Sequence, residues 1–87
     1  MHRDIKLENL LFTSTNEAER IIKLADFGFS RVLTAGETAT EVCGTLTYCA
    51  PEILMQKPYS FSCDFWSMGI VLFILLTGLV PFFDEDE

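Results

Sequence analysis

The sequence predicts an α+β fold in which a small β-hairpin is followed by a long irregular loop and then by one strongly apolar helix. Three patterns point there. Leu10-Leu11-Phe12 and Ile21-Ile22-Lys23-Leu24 are short β-favouring runs flanking the polar stretch Thr13 to Arg20, which suggests a hairpin with a longish exposed loop. Residues 28–47 are broken by Gly and Ala and carry six Thr or Ser residues without sustained periodicity, so they read as loop. From Phe65 to Phe83 there are 19 consecutive residues without a charge.

Each later element has its own signals. Ala50-Pro51-Glu52 opens a short helix through Leu54 and Met55, with Pro51 in the first turn where its missing N–H costs little, and Pro58 ends it. Ser60 or Ser62 is expected to cap the next helix, about 62–77, placing Asp64 in the first turn where the helix dipole favours negative charge. Gly78 is the expected stop before Pro81. On length alone, Phe65 to Phe83 also qualifies as a membrane span. Against that reading, the stretch contains Ser67, Gly69, Thr77, Gly78 and Pro81, and no Lys or Arg flanks it. The alternative is a core helix, apolar all round because protein surrounds it.

Composition narrows the function classes. At 87 residues the chain holds at most one domain, near the lower size limit for a self-sufficient core. With 49% hydrophobic and 22% charged residues it has none of the apolar depletion of a disordered chain. The net charge of -7, from 13 acidic against 6 basic residues, repels polyphosphate backbones and anionic lipid, which argues against nucleic acid as a partner. Cys43, Cys49 and Cys63 are odd in number and lack C-x-x-C spacing, so they read as reduced thiols in a cytoplasmic or nuclear setting. No apolar stretch of signal-peptide length follows Met1-His2-Arg3-Asp4.

The chemistry-bearing residues lie on both sides of the hairpin. In His2-Arg3-Asp4-Ile5-Lys6-Leu7-Glu8-Asn9, Asp4 offers a carboxylate, Lys6 a cation and Asn9 an amide oxygen; in Asp26-Phe27-Gly28 a second carboxylate is followed by a glycine that permits an unusual turn. Phosphoryl transfer needs such a set: a group to orient the attacking hydroxyl, cations for the phosphate oxygens, and hard oxygen ligands for magnesium.

These residues, with Ala50-Pro51-Glu52 and Asp64-Phe65-Trp66-Ser67-Met68-Gly69 following in order, resemble the eukaryotic-type serine/threonine protein kinase family. The likeness runs over nearly the whole chain, and four ordered motifs make chance agreement very improbable. It implies a partial protein kinase-like fold over 1–87. This would be a C-lobe fragment with a catalytic loop at 2–9, an aspartate-phenylalanine-glycine motif at 26–28, an activation segment at 26–52 and a buried core helix at about 62–77. It also implies roles. Asp4 would accept or orient the substrate hydroxyl proton, Lys6 would contact the transferred phosphate, and Asn9 and Asp26 would ligate magnesium. The cofactors implied are ATP and Mg2+, and the partner is a protein carrying Ser or Thr. Lys6 at its spacing, and Gly44-Thr45-Leu46-Thr47-Tyr48 with Thr45 bonding near Asp4, are similar to serine/threonine rather than tyrosine kinases. Leu10-Leu11-Phe12, Lys23-Leu24-Ala25 and Phe65 to Leu76 resemble the calcium/calmodulin-dependent group.

Several residues have plainer readings. His2 resembles a histidine that packs beside Phe27, not an acid or base. Glu52 is either a solvated helix-start acid or, as the family implies, the partner of an arginine outside this chain. Asp64 is either a helix-start charge or, by resemblance, an anchor for the catalytic-loop backbone. Glu8, Glu17, Glu19 and Arg20 read as surface charges, and Trp66 with Ile70 to Leu76 as core. Leu7 stands where the family usually has proline. Arg3 beside the aspartate implies control by an anion, with Thr34, Thr38 and Thr40 as candidates for phosphorylation. The regulatory threonine of related kinases matches Glu41, so a standing charge from Glu41 and phosphorylation of Thr40 are rival expectations.

The sequence shows no Gly-rich phosphate loop, strand lysine or hinge, so the nucleotide would be held through an N-terminal lobe outside this chain, and the isolated chain is expected to be inactive. A piece of a longer kinase is the expected explanation, with Met1 an internal or misassigned start. The alternatives are a catalytically dead interaction module and, third, a single-span membrane protein.

Overall fold

The structure is a computed structural model that describes residues 1–82, so Phe83 and the acidic run Asp84 to Glu87 lie outside the described residues. β1 (Leu10–Phe12) and β2 (Ile22–Leu24) form the hairpin, antiparallel in the register Leu10↔Leu24, Leu11↔Lys23 and Phe12↔Ile22. The second strand begins one residue later than the apolar run suggests, but Thr13 N still donates to Ile21 O at 3.0 Å, and at the other end Ala25 N donates to Asn9 O at 2.8 Å. In the connecting loop Asn16 accepts from Ala18 N at 3.1 Å and starts the single 3-10 turn Glu17–Glu19. Leu10 and Leu24 pack inward, whereas Leu11, Phe12, Ile21 and Ile22 stay exposed. Arg20 lies 4.9 Å above the Phe12 ring, a cation–π contact on that open face.

The loop over 28–47 is irregular as expected, with two points of order. Ala39 and Tyr59 exchange backbone hydrogen bonds at 2.9 Å in an isolated antiparallel bridge, and Leu46–Tyr48 form a 3-10 turn. α1 (Pro51–Leu54) has Pro51 in its first turn but stops before Pro58 can act. Gln56 takes a left-handed conformation (φ 56) while Gln56 N donates to Ile53 O and Lys57 N to Glu52 O, both at 3.0 Å. That bond pair is the Schellman ending, which satisfies the last carbonyls without a glycine.

α2 (Ser62–Thr77) has the predicted extent. Its start differs: no side chain caps it, and Cys63 N and Asp64 N instead donate to the carbonyls of Ser60 and Phe61 at 3.2 and 3.0 Å. Its end is as expected, since Gly78 at φ 71 turns the chain away and donates to Ile74 O at 2.8 Å. The uncharged stretch from Phe65 is therefore two pieces, and no helix among the described residues is long and apolar enough to cross a membrane.

Two apolar clusters hold the chain together. Ala39, Ala50, Ile53, Tyr59 and Cys63 form one; Ile5, Tyr48, Ile70 and Val71 form the other, with Trp66 touching both. Ser67 Oγ donates to Tyr48 O at 2.8 Å and ties the Leu46–Tyr48 turn to the helix. The reading of all of Ile70 to Leu76 as core needs correction. Ile70 and Val71 are buried, but Leu72, Phe73, Leu75 and Leu76 are exposed, Leu76 to 77%. The molecule is a slab of 42 × 36 × 18 Å, so a helix apolar on every side finds protein on only one. Its radius of gyration of 14.3 Å exceeds the ~12 Å of a compact chain of this length.

Candidate functional site

The N-terminal loop is held to the start of α2 by one carboxylate. Asp64 Oδ2 accepts from His2 N at 2.7 Å and Oδ1 from Arg3 N at 2.9 Å, so Asp64 is an anchor rather than a mere helix-start charge. These bonds hold Arg3 at φ 70, a conformation costing about 1–2 kcal/mol for a side-chain-bearing residue. His2 is fixed at both ring nitrogens: Nδ1 accepts from Asp4 N at 3.0 Å and Nε2 donates to Ala25 O at 2.9 Å, which requires the neutral Nε2–H tautomer. The ring meets Phe27 edge-on at 5.1 Å. His2 is thus a brace joining the loop to the end of β2.

That brace directs Asp4 inward. The Asp4 side chain is buried, with Oδ1 accepting from Thr45 Oγ1 at 2.8 Å, and Thr45 Oγ1 in turn accepts from Lys6 Nζ at 2.9 Å. Lys6 Nζ also lies 3.8 Å from Asp4 Oδ2. One carboxylate oxygen is therefore locked, while Oδ2 takes no hydrogen bond from the described residues and is not sealed from solvent. Gly44, next to Thr45, sits at φ 94 with Arg3 O only 2.5 Å from where a Cβ would stand, so any other residue would push the two loops apart.

Asn9 and Asp26 both lie at the open end of the hairpin, because Leu10↔Leu24 pairing and the bond from Ala25 N to Asn9 O put Asn9 beside Ala25, the residue before Asp26. Asn9 is buried and its Nδ2 donates to Asp4 O at 2.8 Å, which leaves Oδ1 as the oxygen available for a ligand. Asp26 is exposed, and its Oδ1 accepts from Gly28 N at 3.1 Å. The unusual turn belongs to Asp26 itself (φ 55), not to the glycine after it. No group of three His, Cys, Asp or Glu residues among the described residues could hold a metal. An amide oxygen and one carboxylate suit magnesium, which keeps most of its shell as water and phosphate oxygens. The structure thus brings Asp4, Lys6 and Asn9 into one network, while Asp26 follows Ala25, which bonds Asn9, and its own carboxylate is held by Gly28.

Sequence reasoning missed two members of the surroundings. Tyr59 OH accepts from Arg3 at 3.0 Å and donates to Glu41 O at 2.6 Å, and Arg31 bonds both oxygens of Glu41 at 3.0 and 3.2 Å. Arg3 reaches Glu41 Oε2 at 3.1 Å. Nothing in the local pattern around Tyr59 or Arg31 signals these long-range contacts. Glu52 is half-buried and makes no ion pair among the described residues, and Glu8, Glu17, Glu19 and Arg20 are exposed as expected.

The family model described as protein kinase domain matches residues 1–87. The chain is 50% identical over 86 residues to a Dictyostelium discoideum protein named "Probable myosin light chain kinase", covering 99% of this chain and 22% of that protein. It is 48% identical over its whole length to calcium/calmodulin-dependent protein kinase type 1 of Macrobrachium nipponense and 47% identical to that of Caenorhabditis elegans, covering 25% and 24% of those proteins. The chain spans about a quarter of the length of these curated relatives. With the family's motifs in order and identities near one half over all described elements, the chain belongs to the protein kinase domain family, as a serine/threonine-type member similar to the calcium/calmodulin-dependent kinases.

Proposed function

We propose that this chain supplies the catalytic-loop part of the C-lobe of a protein kinase, comprising catalytic loop 2–9, activation segment 26–52 and core helix 62–77, and that the whole protein phosphorylates Ser or Thr hydroxyls of proteins. The observation that carries this is the division of labour on Asp4: Oδ1 is locked by Thr45, and Oδ2 is left for a hydroxyl donor. Bound ATP with magnesium supplies the phosphoryl group and the charge that neutralises it. Asp4 Oδ2 accepts the hydrogen bond of the substrate hydroxyl and takes up its proton. Lys6, steadied by Thr45, offers positive charge to the transferred group. Asn9 Oδ1 and the Asp26 carboxylate are the residues that would hold the magnesium ion. ATP itself would be gripped mainly by a lobe outside this chain, so the chain alone is inactive in this reading.

The three free cysteines support a reducing, cytoplasmic or nuclear setting. In the full-length protein, Asp4→Asn is expected to lower phosphate transfer to a Ser/Thr peptide by roughly 10²- to 10⁴-fold, the usual worth of a positioned general base. Transfer unchanged by Asp4→Asn would reject the assignment. The exposed face of α2, with Phe65, Leu72 and Leu76, favours a rival reading as a catalytically dead interaction module. That reading predicts no transfer from the full-length parent at all.

A further inference from the structure

We propose that Ser67 is a positioning residue for the phosphate transfer proposed above: from α2, through the Leu46–Tyr48 turn, it sets the place of Thr45 and so the direction of the Asp4 carboxylate. The inference rests on the kinase reading. Every step of the path is a hydrogen bond of ordinary length. Ser67 Oγ donates to Tyr48 O at 2.8 Å, and Tyr48 N donates to Thr45 O at 2.9 Å. Thr45 Oγ1 then donates to Asp4 Oδ1 at 2.8 Å while accepting from Lys6 Nζ at 2.9 Å. The Thr45 hydroxyl has a single proton, so both of its bonds hold only in one place and one orientation. Moving Thr45 by about 1 Å would stretch the bond to Asp4 beyond the outer limit of a hydrogen bond and free the carboxylate to turn.

Three observations separate this from ordinary helix packing. A serine inside a helix can bond the carbonyl four residues back, and Ser67 Oγ lies 3.2 Å from Cys63 O, yet Tyr48 O at 2.8 Å is the nearer acceptor. The hydroxyl reaches across to the turn rather than serving its own helix. Asp64 stands three residues earlier on the same face of α2 and holds the backbone of His2 and Arg3. One helix therefore grips both sides of Asp4: the loop that carries it, through Asp64, and the residue that orients it, through Ser67. Ser67 and Tyr48 are buried, and the crevice they line with Asp4 and Thr45 has no room for a water, so nothing replaces the Ser67 hydroxyl at Tyr48 O once it is removed.

The test uses the full-length protein carrying this chain, with phosphate transfer to a Ser/Thr peptide measured per mole of enzyme that binds ATP, so that unfolded material does not count. Ser67→Ala lowers kcat by roughly tenfold with little change in KM for ATP, the size expected of a coupled contact. Thr45→Val removes the hydroxyl at equal size and lowers kcat by itself, and in that background Ser67→Ala costs nothing further. A hydroxyl that only stabilised the fold would lower the yield of ATP-binding enzyme equally in both backgrounds and leave kcat alone. Ser67→Thr and Ser67→Val, matched in size, form a second pair in which the threonine variant has the higher kcat. Amide exchange at Tyr48 is faster in Ser67→Ala than in the parent. A Ser67→Ala enzyme with parental kcat, or losses that multiply in the double variant, overturns the proposal. Where the alanine variant does not fold, equal kcat for Ser67→Thr and Ser67→Val does the same. If Asp4→Asn abolishes transfer while Ser67→Ala keeps the parental kcat, the positioning claim alone falls; if Asp4→Asn leaves transfer intact, both fall.

Discussion

Cutting the Asp64 anchor should release the loop that carries Asp4. Asp64 accepts two backbone N–H groups, from His2 and Arg3, and each bond to a charged acceptor contributes about 1.5–3 kcal/mol. Asp64→Ala removes both, a gross loss of about 3–6 kcal/mol. Part is recovered, because Arg3 can then leave its left-handed conformation and regain about 1–2 kcal/mol. The net expectation is a loss of about 1–5 kcal/mol. Asp64→Asn keeps one acceptor oxygen but turns an NH2 group toward the other backbone N–H, so it should fall between parent and Asp64→Ala. Urea denaturation followed by the fluorescence of Trp66, which lies on the same helix, reports the stability, and amide exchange at His2 and Arg3 reports the bonds themselves. Should Asp64→Asn shift stability by less than about 0.5 kcal/mol, the level of an ordinary surface substitution, with both amides still protected, the anchoring argument is wrong.

Two further outcomes follow from burial. Ile70→Ala, at a 6% exposed position facing Ile5 and Tyr48, should cost about 2–5 kcal/mol, whereas Leu76→Ala, on the open side of the same helix, should stay within about 0.5 kcal/mol; equal costs in urea denaturation would show that the helix buries both faces. Cys63 lies in the first apolar cluster, and its burial, with Asp64 and Glu52 nearby, pushes the thiol up from 9.0 to about 12. The folded chain then keeps a proton that the unfolded chain releases, so stability is intact below pH 9 and declines as pH rises toward 12, at up to about 1.4 kcal/mol per pH unit. Cys63→Ala should flatten that decline, and an unaltered slope between pH 9 and 12 would contradict the account.

How much of this was legible in the residues depends on whether the cause is local. β1 and the 62–77 helix follow from short-range pattern, and Gly78 ends the helix because a left-handed residue is needed there. The likeness to a known family placed Thr45 beside Asp4 and Asp64 beneath the loop, contacts that no local pattern indicates. What failed was non-local. Ser60 and Ser62 look like caps, but backbone carbonyls already take the first N–H groups of α2. An all-apolar run cannot say which of its faces meets protein, so Leu72 and Leu76 read as core and stand in the open. Arg31 and Tyr59 gave no sign of their role because loop residues meet distant partners without periodicity.

The measurement that bears most directly on the account is a double-mutant cycle on Asn9 and Asp26, the two residues that the hairpin register brings to one end. Phosphate transfer by the full-length protein at saturating ATP and Mg2+ would be compared for Asn9→Ala, Asp26→Asn and both together. If the pair holds one ion, each single change lowers transfer by roughly 10²-fold or more and the double variant is little worse than the weaker single, as for groups acting as a unit. Losses that simply multiply, or single variants as active as the parent, would contradict a shared metal site.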